Sequence, residues 1–327
     1  MIEANEVKIK DSYFLVTGGA GFIGSNLCEK LIEKGTKVRC LDDLSTGKME
    51  NIEHLIGEKN FEFIHASITD YTACLAATAG IDYVLHQAAL GSVPRSMKNP
   101  LLYEKVNVQG TLNMLEASSK QQVKKFVYAS SSSVYGDSQT LPKKEGDEGI
   151  VLSPYALTKK TNELYGKLYS DIYELPTVGL RYFNVFGRRQ NPNGQYAAVI
   201  PKFIEAFLRK EAPTINGDGE HSRDFTYIDN VVTANILAAV SSTAVTGRAY
   251  NIAASGQVTL NQLCKLLQTK LDCEDVPINY GLDRPGDIKH SFANIELAEK
   301  DLGYQPKISF ESGIEEALKW YRGIKNC

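Results

Sequence analysis

Residues 153–160 read SPYALTKK. Ser153 is a good helix N-cap and Pro154 suits the first helical position. Tyr155 and Lys159 then stand one turn apart on one helix face. That places an ammonium where it could help a phenol lose its proton. Taken alone, the same spacing describes a surface pair, and the rest of the chain must decide. A second stretch, ASSSSVYG at 129–136, closes an apolar run and carries Ser131, Ser132 and Ser133. A serine run is most simply a polar loop. At the carboxyl end of a strand, however, it would face the crevice where open α/β sheets bind ligands.

A third stretch, VTGGAGFIGSNL, follows the first apolar run. Gly18, Gly21 and Gly24 lie three apart, and a helix opens at once. Such glycines let backbone approach a pyrophosphate, and the helix N-terminus offers N–H donors and positive dipole. Asp42 ends the second apolar run, where a carboxylate can take ribose hydroxyls. A 2′-phosphate beside Asp42 and Asp43 would be repelled, so the pattern favours NAD over NADP.

These residues need a scaffold, and the chain's rhythm predicts one. Segments 13–19, 37–43, 61–67, 82–89, 125–131 and 177–187 read as strands. Several are continuously apolar, as suits strands buried on both faces. Amphipathic stretches at 22–34, 99–120 and 153–172 read as helices between them. Strand–helix alternation predicts an α/β fold, a doubly wound parallel-sheet Rossmann domain. Past about 185 the rhythm changes. GRRQNPNGQY is loop chemistry, followed by helices near 199–210 and 229–241, a strand at 247–254, a helix at 259–271 and a capped amphipathic tail. We expect an NAD-binding domain over 1–183 and a smaller α/β domain, mainly for substrate, over 184–327, with segments near 221–256 partly rejoining the first.

The 327 residues suffice for a sizeable core, and the formal net charge of −3 argues against nucleic acid as a partner. The six cysteines form no Cys-x-x-Cys pair and no cluster with histidine, so neither a metal site nor a disulfide framework is expected. The polar start MIEANEVKIKDSY lacks the apolar core of a signal peptide, and no apolar run approaches a membrane span. A reducing, cytoplasmic setting is expected.

The Gly-x-x-Gly-x-x-Gly spacing and TGGAGFIGS resemble the extended branch of the short-chain dehydrogenase/reductase family, which acts mainly on nucleotide sugars. The resemblance implies that Tyr155 and Lys159 are its Tyr-x-x-x-Lys pair and Ser131 its catalytic serine. It also implies that Gly18, Gly21, Phe22, Ile23, Gly24, Asp42 and Lys159 hold NAD. A sugar C4 hydroxyl must lose its proton as its hydride leaves, and free tyrosine, with a pKa of about 10, is a poor base. Lys159 and the nicotinamide's positive charge would both favour the phenolate.

HQAALGSVPRS, LRYFNVFGRRQNPNGQYAAVIPK, INGDGEHSRDFTYI and GDIKHSFA sharpen the likeness. They resemble bacterial UDP-N-acetylglucosamine 4-epimerases of surface-polysaccharide synthesis, within the UDP-hexose 4-epimerase group. The resemblance implies sugar contacts from Gly91, Ser92, Ser132, Ser133 and Tyr155. It also implies diphosphate contacts from Asn184, Arg223 and Arg284, and a uridine-ribose contact from Asp287. Ser291 stands where some hexose-only members carry a bulky tyrosine, which leaves room for a 2-acetamido group. Ser67 replaces an aspartate that contacts adenine in the family. ASSSSVYG, rather than AASSSTYG, leaves non-acetylated sugars open.

The activity expected is reversible C4 epimerisation of UDP-GlcNAc and UDP-GalNAc with retained NAD, in a homodimer paired through 99–120 and 153–172. A UDP-hexuronic or UDP-hexosaminuronic acid epimerase stays open, with Ser131–Ser133 and Arg95 able to meet a carboxylate. A non-catalytic NAD-binding module is the rival of a different class. A dehydratase is disfavoured, because serines stand where it needs an acid–base carboxylate.

Overall fold

The computed structural model describes residues 9–192, 198–282 and 289–325. The chain alternates strand and helix through β1 (Tyr13–Thr17), α1 (Phe22–Glu33), β2 (Lys37–Asp42), β3 (Phe61–His65), α2 (Tyr71–Thr78) and β4 (Tyr83–His86). Two short helices, α3 (Val93–Lys98) and α4 (Pro100–Tyr103), lead through a wide π turn, Glu104–Gln109, into α5 (Gly110–Lys120). Then come β5 (Lys125–Ser131), α6 (Pro154–Ile172), β6 (Thr177–Tyr182), β7 (Val185–Phe186) and α7 (Val199–Leu208). The later elements are β8 (Thr214–Asn216), β9 (Ser222–Arg223), β10 (Thr226–Tyr227), α8 (Ile228–Val240), β11 (Arg248–Ile252) and β12 (Val258–Thr259). The last are α9 (Leu260–Leu271), β13 (Asn279–Gly281), β14 (His290–Ser291), α10 (Glu296–Leu302) and α11 (Phe310–Lys325).

The main sheet has seven strands in the order β11-β6-β5-β4-β1-β2-β3, all pairs parallel. This is the doubly wound Rossmann arrangement the alternation predicts. Phe14, Leu15 and Val16 are fully buried, because helices cover both faces. α1 and α8 pack together on one face, while α2, α5 and α6 pack on the other. Three smaller sheets stand apart: β7 with β10, β8 with β13, and β12-β9-β14. Residues after 184 re-enter the main sheet through β11, paired with β6, and through α8.

Two expected elements differ. The single helix over 99–120 is interrupted by the π turn. Asn107 there turns inward to exchange hydrogen bonds with Leu90, at 2.8 Å from its N–H and 3.1 Å to its carbonyl. One extra residue per turn re-aims a side chain in this way. The strand over 177–187 is two strands, β6 and β7, because Asn184 takes φ 35°. Three helices lay in stretches read without structure: α2, α3 and α10. Asp70 caps α2, accepting from Thr72 N at 2.9 Å and Ala73 N at 3.2 Å, a signal visible in the sequence. Among the described residues no helix is long and apolar enough to cross a membrane.

Candidate active site

Gly21 is the N-cap of α1, and no side chain caps it. The first amides of a 12-residue helix are therefore left for another acceptor, which is what a pyrophosphate requires. Gly18 takes φ +65°, and a Cβ there would come 2.7 Å from Ala88 N. A Cβ on Gly24 would collide with the Gly18 carbonyl. Both positions thus need glycine for local reasons that also keep the loop tight. A cleft of about 680 Å³ opens here, lined by Gly18, Gly21, Phe22, Ile23, Gly24 and Asp42 and reaching Gly91. These residues fit an extended dinucleotide.

Asp42 is buried, and its carboxylate accepts from Ala20 N at 3.0 Å and Leu44 N at 2.8 Å. Burial raises its pKa and the two amides oppose that rise. It therefore fixes the glycine loop as well as facing the cleft. Ser67 donates to Asp43 at 2.9 Å and helps hold that carboxyl below its ordinary range. The serine that replaces the expected aspartate is thus committed to a neighbour within the chain.

The second cluster stands at the carboxyl end of β5, outside the lining of that cleft. Ser153 Oγ accepts from Ala156 N at 3.1 Å and Pro154 opens α6, as the sequence predicts. The Ser131 hydroxyl lies near enough to Tyr155 to favour its phenolate. Ser131 Oγ also accepts from Ser133 Oγ at 2.9 Å and Ser133 N at 3.2 Å. Ser132 opens the single turn that follows β5. Lys159 is buried, donates to Ala129 O at 2.8 Å, and lies 6.0 Å from the Tyr155 ring centroid. Burial lowers the lysine to about 8, against a nearby Glu163 that raises it.

Burial raises the Tyr155 phenol above its ordinary pKa, and the nearby Ser131 hydroxyl opposes that rise.

The segment carrying Gly91 and Ser92 is tied to Tyr155. Tyr103 donates to Gly91 O at 2.7 Å and packs edge-on against the Tyr155 ring at 6.4 Å. Ser96 Oγ, one turn into α3, accepts from Tyr155 N at 3.1 Å. Ser92 takes φ 105° and caps α3, accepting from Arg95 N at 3.3 Å.

The second half supplies a third cluster. Ser291 on β14 is the register partner of Arg223 on β9. Asn184 donates to the carbonyl of Asp224 at 3.2 Å, one residue beyond Arg223. Asn184, Arg223 and Ser291 are therefore brought together. Arg284 and Asp287 lie outside the described residues.

Sequence reading missed the groups behind β5. Glu163 lies one turn beyond Lys159 and accepts from Ser130 at 2.6 Å. Arg181 on β6 clasps Glu163 with bonds of 2.8 and 2.9 Å, meets Glu148, and donates to Tyr135 OH at 3.0 Å. The i,i+4 spacing of Lys159 and Glu163 was a legible signal, whereas Arg181 needed the pairing of β5 with β6. Among the described residues no group of three His, Cys, Asp or Glu side chains is placed to hold a metal ion.

Comparison with known proteins gives consistent matches. The model of the NAD dependent epimerase/dehydratase family matches residues 14–253. A putative UDP-glucose 4-epimerase of Methanocaldococcus jannaschii is 37% identical over 310 residues, 94% of this chain and 98% of that protein. A solved UDP-N-acetylglucosamine 4-epimerase from Methanobrevibacter ruminantium M1, in complex with UDP-N-acetylmuramic acid, has a TM-score of 0.92 at 41% identity, covering 97% of this chain and all of that one. A UDP-glucuronic acid 4-epimerase from Bacillus cereus, in complex with UDP-glucuronic acid and NAD, has a TM-score of 0.86 at 32% identity, covering 95% of this chain and 99% of that one.

Proposed function

The chain belongs to the NAD dependent epimerase/dehydratase family, and on that premise we propose that it is a UDP-sugar 4-epimerase that favours N-acetylated hexosamines, interconverting UDP-GlcNAc and UDP-GalNAc. The observation that supports the reaction is the placing of Tyr155 and Lys159 one turn apart on α6, with Ser131 at the end of β5 near enough to oppose the rise that burial gives the phenol. NAD, when bound along the glycine loop, supplies reversible acceptance of the C4 hydride, so a 4-keto sugar forms and is re-reduced.

The chain's own residues do the rest. Gly18, Gly21, Phe22, Ile23 and Gly24 offer the loop and helix amides, and Asp42 takes the ribose hydroxyls. Tyr155 removes the C4 hydroxyl proton and later returns one. Ser131 shares that proton's path and steadies the reacting oxygen, with Ser132 and Ser133 toward the sugar. Lys159 anchors the helix to β5 and holds the nicotinamide ribose. Arg223, Asn184 and, beyond the described residues, Arg284 and Asp287 grip the nucleotide end while the sugar turns. With the nucleotide end held, these residues would leave the sugar free to present either face of C4 to the cofactor.

The substrate preference rests on a steric argument. Ser291 is small and neighbours Arg223 in register, so the wall beside the nucleotide end leaves room for a 2-acetamido group. The complex of the Methanobrevibacter relative with an N-acetylated UDP-sugar supports that reading. Acidic sugars form a second reading. The Arg95 charge is felt at Tyr103, whose hydroxyl bonds Gly91, so a cation stands beside the sugar-facing segment. The test is to incubate purified protein, without added NAD, with UDP-GlcNAc, UDP-Glc and UDP-GlcNAcA separately and follow the sugar protons by NMR. Formation of UDP-GalNAc supports the proposal. Turnover of the acid alone replaces the preferred substrate, and no turnover even with NAD supplied sinks the epimerase reading.

A further inference from the structure

We infer that Asp224 is a positioning residue that fixes the diphosphate-gripping side of the site, an inference that rests on the UDP-sugar reading. Asp224 directly follows Arg223 and is fully buried. Its Oδ1 accepts from Ala254 N at 3.0 Å, and its Oδ2 accepts from Ala293 N at 3.3 Å. The amides of Ser255 and Gly256 also lie near enough to oppose the rise that burial gives the carboxyl. Ser255 takes φ 57°, so successive N–H groups of 254–256 converge into a backbone nest for an anion.

The two anchored alanines belong to opposite flanks of one small sheet. Ala254 lies just ahead of β12 and Ala293 just past β14, and β9, with Arg223, runs between those strands. One carboxylate thus staples both outer chains to the central one. The same residue's carbonyl accepts from Asn184 Nδ2 at 3.2 Å. Arg223 is its chain neighbour, and Ser291 is Arg223's register partner. Asn184 is one bond and Arg223 one step from Asp224, while Ser291 is joined to it through Arg223.

The bland alternative is a satisfied buried carboxylate that merely stabilises the sheet. Against it stands the cost of the choice. A buried carboxylate held by backbone amides is expensive to bury, and apolar packing could close so small a sheet. What apolar packing cannot do is fix three chain segments at hydrogen-bond precision. A site that releases a sugar to turn while its diphosphate stays put needs that rigidity. Asp224 itself is fully used by backbone amides, so it acts through Arg223, Asn184 and Ser291 rather than on substrate.

The experiment compares wild type with Asp224→Asn, each purified with its retained cofactor. UDP is titrated by calorimetry, and kcat and KM for UDP-GlcNAc are read by NMR. The expected result is a UDP Kd and a KM each raised tenfold or more, with kcat changed less than threefold and bound NAD unchanged. A folded variant with unaltered UDP affinity overturns the inference, and so does a fall in kcat at unchanged KM. Wild-type protein that binds no UDP overturns it differently, by removing the UDP-sugar reading beneath it. Should the variant fail to fold, hydrogen exchange on wild type decides. UDP is expected to slow exchange at the amides of Ala254 and Ala293; unchanged exchange there overturns the inference.

Discussion

Ser130 donates to Glu163 at 2.6 Å, from the position next to the serine that lies near Tyr155. The carboxyl end of β5 is thereby pinned to α6 by a buried carboxylate, which Arg181 in turn neutralises from β6. Arg181→Met would leave Glu163 and Glu148 without their guanidinium. Breaking a buried pair costs about 3–5 kcal/mol. Urea unfolding should register a loss of that order, and an unchanged midpoint would show that the pair is dispensable.

Tyr155→Phe keeps the ring that packs on Tyr103 and removes the proton carrier. The rate of C4 inversion should fall by about 10²–10⁴-fold, the usual worth of a positioned acid–base group. Absorbance of the purified variant should show cofactor retained as in wild type. A fall of less than tenfold would move the proton to another residue.

Lys159 gives a pH signature. Its pKa of about 8 lies below the ~10.4 of an unfolded lysine. Between those values the unfolded chain holds more protons, so on this account stability rises with pH across the window. Below about 8 both states are charged and the desolvation cost is carried in full. Activity should run the other way, because the ammonium is lost above about 8. We expect kcat/KM to fall on the alkaline side with an apparent pKa near 8 while this group's share of stability recovers. A profile flat to about pH 9.5 would exclude Lys159 as its source.

Ser291→Tyr should act on specificity. On the proposed substrate reading a phenol there would fill the space for the acetamido group, and clashes of this kind are how pockets reject a larger ligand. Turnover of UDP-GlcNAc should drop at least tenfold relative to UDP-Glc in paired NMR assays. Equal losses on both sugars would show that the acetamido group lies elsewhere.

We propose a homodimer built on α4 and α6. Leu101, Leu157, Leu164 and Ile172 are exposed there, at 84, 54, 62 and 64%. Apolar side chains so displayed mark an interaction face. Sedimentation should give a mass near twice 36.1 kDa, and Leu164→Glu should shift the protein toward the monomer. A wild type monomeric at micromolar concentration ends the proposal.

The site was legible where chemistry is local in sequence. The cap at Ser153, the pair Tyr155 and Lys159, and the glycine loop each occupy one stretch, so they can be singled out once the strand–helix rhythm around them is read. The strands of the main sheet were legible because burial on both faces leaves continuous apolar runs. Glu163, Arg181, Asn107 and Asp224 were not read. Each works through a partner 17 to 69 residues away, and only strand register or a turned helix creates that meeting. The interruption of the helix after Tyr103 was hidden for the same reason: Asn107 is ordinary helix sequence until Leu90 is beside it.

The return of β11 to the main sheet bears on how the chain assembles. β6 is flanked by β5 on one side and β11 on the other, yet some 65 residues intervene before Arg248 arrives. During synthesis the nucleotide-binding half therefore waits with an open strand edge and without the cover of α8. Such an edge is a template for pairing with other chains. A truncated chain ending near 183 would keep the glycine loop and the Tyr155 helix but carry that exposed edge permanently. The long-range closure ties the two halves together through β11 and α8.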